Sequence, residues 1–104
     1  MCIRDSGSAA AAGVTDVAEA ALISAGFRVI RNRPYAGGHT TRHYGRPSAG
    51  VHALQIEINR ALYMDEARIE RLPDFDDVAW RLRPMIEAVA ALDPEHLMSR
   101  AAAE

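Results

Sequence analysis

Residues 32–64, NRPYAGGHTTRHYGRPSAGVHALQIEINRALYM, constrain the fold more than any other part of the chain. A Gly-rich loop bearing Arg, His and Tyr runs straight into an apolar segment that carries a single carboxylate, Glu57. Over residues 51–59, Leu54, Ile56 and Ile58 face one way, while Ala53, Gln55, Glu57 and Asn59 face the other. This is the period of a half-buried strand. A charge flanked by Ile56 and Ile58 is costly to bury unless it is paired or binds something. The segment reads as the wall and floor of an active site.

The rest of the chain supplies too little to complete a domain around that strand. Thr15 is placed to cap a helix whose apolar period runs through Val17, Ala20, Ala21 and Ile23/Ser24, with Gly26 at the terminating position. Residues 27–31 read as a short strand. Residues 32–50 hold four Gly and two Pro and form a long loop; such loops in compact domains are functional or disordered, and the reactive side chains here favour function. Residues 61–72 read as a loop with one helical turn. Asp74 then caps a helix with Asp76 and Asp77 in its first turn, where negative charge suits the helix dipole. Phe75, Val78, Leu82, Ile86 and Val89 mark its apolar face, and Pro84 kinks or restarts it. The order is helix, strand, loop, strand, helix, an α/β arrangement. A two-stranded sheet is marginal alone, so residues 9–98 read as part of a single larger domain. Residues 99–104 form an Ala-rich tail expected to fray. Residues 1–8, MCIRDSGS, show neither period nor targeting logic, resemble a non-native scar, and are set outside the fold.

Charge narrows the ligand. Net charge is −2, yet residues 28–60 carry six Arg against one acid, and residues 61–104 carry ten acids against five Arg. An anionic ligand is favoured at the loop. The negative total, few aromatics and lack of a nucleic-acid motif argue against an RNA- or DNA-binding module. No apolar run approaches the ~20 residues of a membrane span, and the single Cys2 cannot form an internal disulfide. A small anion is the ligand that this charge distribution favours.

Each candidate site residue has two readings. Glu57 is a general base or activator of metal-bound water, or it is one half of a buried ion pair with Arg60 or Arg42. His39 and His43 form an HxxxH pair that would share a face only in a helix, and Thr40-Thr41 and the nearby glycines disfavour one; pocket lining is preferred over metal ligation. Arg33, Arg42 and Arg46 either clamp an anion bidentately or coat a solvated loop. Tyr35 and Tyr44 either donate to a substrate or pack their rings.

The motifs PYAGG, HYGRP and QIEINR with LYM, in this order and spacing, resemble those of N-formylglutamate amidohydrolases over roughly residues 18–92. The resemblance implies a zinc-carboxypeptidase-like three-layer α/β fold and zinc-assisted hydrolysis of N-formyl-L-glutamate to formate and L-glutamate, a step of histidine breakdown. It implies that residues 9–98 are the carboxy-terminal part of such an enzyme, that the partner is a small dicarboxylate substrate in a cytoplasmic setting, and that Glu57 takes a proton from zinc-bound water. It places Tyr44 in the region of a mobile tyrosine, Arg42 and Arg60 as binders of substrate carboxylates, and Asn32, Tyr35 and His39 as pocket lining. The family's zinc ligands lie in earlier segments, so this chain is expected to hold none of them and to be inactive alone. Alternatives are a related zinc carboxypeptidase or amidase on another acyl-amino acid or peptide, and a non-catalytic anion-binding module.

Overall fold

The structure, a computed structural model, describes residues 1–5, 7, 9–33 and 37–93. Among these described residues, three α-helices and two small sheets build it. The first sheet has the order β2-β1-β3, with β1 at Cys2–Arg4, β2 at Ile30–Arg31 and β3 at Gln55–Glu57. Strand β1 runs parallel to β2, pairing Cys2 with Ile30, and antiparallel to β3, pairing Cys2 with Glu57 and Arg4 with Gln55. Parallel neighbours need a crossover, and helix α1, Ala12–Ser24, supplies it. A two-stranded hairpin follows, β4 at Met64–Asp65 against β5 at Glu70–Arg71.

The outcome corrects several expectations. Within the segment set aside, Cys2–Arg4 belongs to the fold: it is the middle strand, and Ile3 is fully buried. A three-residue strand is too short to display a period, so its role was hidden. Ordered strand within residues 51–59 is confined to Gln55–Glu57, because β1 offers only three residues to pair with. The expected strand at 27–31 likewise shrinks to Ile30–Arg31. Part of the expected loop is helical: α2 spans His39–Tyr44, followed by a 3₁₀ turn at Pro47–Ala49. In the region read as a loop with one turn, a 3₁₀ turn at Arg60–Leu62 leads into the β4–β5 hairpin.

Helix α1 starts earlier than expected, with Ala11 as its N-cap and no side-chain cap. Thr15 instead lies inside it, fully buried, and the buried face is Val14, Thr15, Ala18 and Leu22, not the stripe through Ala20 and Ile23. The C-terminus ends as the sequence indicates. Gly26 has φ +91°, its N–H reaches the Ile23 carbonyl at 2.9 Å, and the Phe27 N–H reaches that of Leu22 at 3.1 Å. This paired 6→1 and 5→2 bonding is a Schellman motif.

Helix α3, Phe75–Ala90, carries Asp76 and Asp77 in its first turn and runs through Pro84 without a break. Asp74 sits at its N-cap position, but its side chain makes no capping bond. The core forms where α1 and α3 cover the apolar face of the first sheet: Ile3, Ala18, Leu22, Phe27 and Val78, joined by Leu54, Ile56, Tyr63, Leu82, Met85 and Val89. Met85 thus replaces the expected Ile86, which is 61% exposed, and Trp80 is 69% exposed. No helix among the described residues is long and apolar enough to cross a membrane.

Candidate active site

The register of the first sheet sorts its side chains. Ile3 and Ile56 are cross-strand partners, and both join the core. By the same alternation Cys2, Arg4, Gln55 and Glu57 project from the opposite face. The sequence's division between Leu54/Ile56 and Gln55/Glu57 is therefore realised. On the polar face an Arg4 Nη2 donates to Glu57 Oε2 at 2.5 Å, and Gln55 Nε2 donates to Oε1 at 2.9 Å. The Arg4 side chain is 11% exposed and that of Glu57 40%, so the carboxylate is held from its buried side and open to solvent on the other.

The ion pair considered for Glu57 thus exists, with a different partner. Arg60 instead pairs with Glu66 at 3.3 Å in an exposed setting, and Arg42 is exposed on α2. Arg4 was missed because its segment was set aside. No local signal in the sequence marks it, since Arg4 meets Glu57 only through the register that pairs Arg4 with Gln55 and Cys2 with Glu57.

Glu57 borders an open depression of about 300 Å³ lined by Met1, Cys2, Arg4, Ile30, Arg33, Ile58 and Asn59. Of the three loop arginines considered as anion clamps, Arg33 alone is among the lining residues. Its backbone is tied to the sheet, since the Cys2 thiol donates to the Arg33 carbonyl at 3.1 Å. Two arginines, an amide and a carboxylate thus meet on one wall. Guanidinium groups bind carboxylates in charge-assisted pairs, and a carboxylate in hydrogen-bond reach of a bound molecule can accept its proton.

Asn32 does not line this depression. It adopts φ +53°, a left-handed conformation that Asn tolerates. Its Nδ2 donates to Asp5 Oδ1 at 2.9 Å, and its Oδ1 accepts from the Asp5 N–H at 3.1 Å. Asp5 also accepts from the Gly7 N–H at 2.8 Å and from Thr15 Oγ1 at 2.8 Å. Burial works to raise the Asp5 carboxyl; the donors from Asn32, Gly7 and Thr15, with the charge of Arg31, outweigh it and leave the group below its ordinary 3.8. Arg31 itself bonds Asp16 at 2.6 Å and Glu19, and the Asp16 contact leads in holding its guanidinium above the ordinary value. Asn32 is a structural residue.

His39, His43 and Tyr44 lie together on α2, away from the lining of the depression. The His39 and His43 rings stack 4.8 Å apart, and Tyr44 meets His43 edge-on at 4.7 Å. Helical structure here overrides weak propensity because Thr41 is buried and its Oγ1 donates to the Gly38 carbonyl at 3.0 Å. Tyr35 lies outside the described residues, as do residues 99–104.

The residues present do not fit the zinc that the resemblance implies. No group of three or more His, Cys, Asp or Glu that could hold a metal ion occurs among the described residues. Both Glu57 oxygens, moreover, are engaged by Arg4 and Gln55.

The fold and the site together define an α/β unit whose polar sheet face sets a carboxylate beside two arginines at an open depression. The sequence profile of N-formylglutamate amidohydrolases matches residues 2–64. N-formylglutamate deformylase of Pseudomonas aeruginosa is 49% identical over 41 residues, which is 39% of this chain and 15% of that protein. Its counterpart in Pseudomonas putida is 44% identical over the same length. A solved N-formylglutamate amidohydrolase from Ralstonia eutropha JMP134 superposes with a TM-score of 0.72 at 30% identity, covering 99% of this chain and 35% of the solved one. The chain belongs to the N-formylglutamate amidohydrolase family. It spans about a third of the solved relative's length.

Proposed function

We propose that this chain supplies the proton-transfer and anion-binding side of an amidohydrolase acting on N-formyl-L-glutamate. The observation that carries the reading is Glu57, set on the polar sheet face between Arg4 and Gln55 and opening onto a depression shared with Arg33 and Asn59. Family membership and the names of the relatives support the substrate. The accompanying fold reading is a portion of a zinc-carboxypeptidase-like three-layer domain.

In the hydrolysis, water adds to the formyl carbon, the C–N bond breaks, and formate and L-glutamate leave. Glu57 accepts the proton of the attacking water and returns it to the departing nitrogen. Arg33 and Asn59 bind a substrate carboxylate. Arg4 holds the Glu57 side chain in place through their ion pair. Cytoplasmic histidine degradation is the setting this reading entails.

Formate release from N-formyl-L-glutamate by a chimera of the solved relative carrying this segment tests the proposal. Glu57→Gln is expected to lower kcat by about 10²–10⁴-fold, and Arg33→Ala to raise KM with less effect on kcat. Hydrolysis of other N-acyl or peptide substrates in place of the formyl one would shift the reading to a related carboxypeptidase or amidase. Unchanged turnover in Glu57→Gln would remove the base assignment.

A further inference from the structure

The helix α2 carries a feature that the proposed hydrolysis leaves unused. His39 and His43 stand four residues apart on one face, both exposed, with ring centroids 4.8 Å apart and planes inclined by 18°. Residues at this spacing are neighbours on a helix surface. The opposite side of α2 is fastened: Thr41 is 2% exposed, its hydroxyl holds the Gly38 carbonyl at 3.0 Å, and the Gly45 N–H closes on the Thr41 carbonyl at 3.0 Å. The histidine face is thereby turned outward on a fixed support. Tyr44, edge-on at 4.7 Å, bears on the His43 ring.

We propose that His39 and His43 form a two-imidazole site for a late first-row divalent ion, preferring Cu(II) over Ni(II) and Zn(II). Metal–imidazole bonds of ~2.0–2.1 Å put two nitrogens on one ion no more than ~4.2 Å apart. Rings already stacked at 4.8 Å stand close to that spacing, and rotation of the two side chains is the adjustment the site requires. Water fills the remaining positions. Imidazole donors select late, borderline-soft ions in the Irving–Williams order, whereas Mg(II) and Ca(II) demand oxygen ligands. The site is separate from the Glu57 depression, none of whose lining residues it shares, and it does not rest on the proposed hydrolysis.

Titration of the chain with CuCl2, NiCl2, ZnCl2 and MgCl2 by calorimetry, with paramagnetic broadening of the histidine ring protons by Cu(II), tests this. The result expected is one Cu(II) per chain, broadening confined to His39 and His43, weaker Ni(II) and Zn(II), and no Mg(II) binding. His39→Gln and His43→Gln are each expected to weaken Cu(II) by about tenfold or more, because the second donor then no longer acts intramolecularly. His96→Gln is expected to change nothing. Circular dichroism of each variant establishes that it is folded. As a second measurement on the unaltered chain, Cu(II) raises the melting temperature with the logarithm of its concentration over Kd, since the unfolded chain loses the spacing. Uptake that survives loss of either histidine, or broadening centred on His52 or His96, would overturn the proposal.

Discussion

Asn32 shows how much one residue can do when its backbone and side chain serve the same end. Its left-handed turn releases the chain from β2, and its amide grips both the backbone and the carboxylate of Asp5. Because Asp5 titrates below its ordinary 3.8 in the folded chain, its contribution is fully present above that value. It is lost as pH falls through the lowered one. Asn32→Ala removes a donor and a turn former together. The variant is expected to lose about 1.5–3 kcal/mol at neutral pH, as for a hydrogen bond to a charged group. Urea unfolding at pH 7 and at pH 3 checks this, with a smaller difference expected in acid. Gly45 is constrained by space instead of torsion: a Cβ there would lie 2.5 Å from both the Cβ and the carbonyl oxygen of Ala9. Gly45→Ala is expected to cost roughly 1–3 kcal/mol through overpacking, read as a lowered denaturant midpoint. In the sequence this glycine was only one of several in a loop, since the residue that crowds it lies far away in the chain.

At the scale of elements, α3 was the most legible. Its acidic first turn and the spacing of Val78, Leu82 and Val89 are local properties, and they survive folding. Helix α1 was legible in kind but misread in phase: an Ala-rich segment gives almost no contrast between faces, so the sheet, not the pattern, chose Val14, Ala18 and Leu22. Helix α2 was illegible because HTTRHY has little intrinsic preference and its one decisive contact, the burial of Thr41, is tertiary. Pro84 remains in α3 at an exposed position, where the ring deletes an intrahelical hydrogen bond. Pro84→Ala restores that bond while making the unfolded chain more flexible. The net expectation is a gain of about 2 kcal/mol, visible as a higher midpoint in urea.

For the molecule as a whole, the candidate site is a property of the three-stranded sheet more than of the loop that first drew attention. Glu57 and its face were readable from alternation; Arg4 was not, because cross-strand pairing joins residues that no local pattern connects. Arg33 was one of three equivalent-looking arginines until the sheet selected it. Ile3, fully buried at the centre, links both strands to α1 and α3. Ile3→Ala is expected to cost about 2–5 kcal/mol and to disturb the Glu57 face with it, measurable as a lowered denaturant midpoint together with NMR shift changes at Arg4, Gln55 and Glu57. The central place of β1 also dictates an order of events during folding. β1 can meet β2 once α1 has formed, but its other edge stays open until the far segment of β3 arrives, and closing so long a loop is slow. Pulse-labelled amide exchange should therefore protect α1 before β3. A ribosome that has released only the first half of this chain holds an unfinished sheet, with the backbone edge that Glu57 will later cover still available to any extended strand that finds it first.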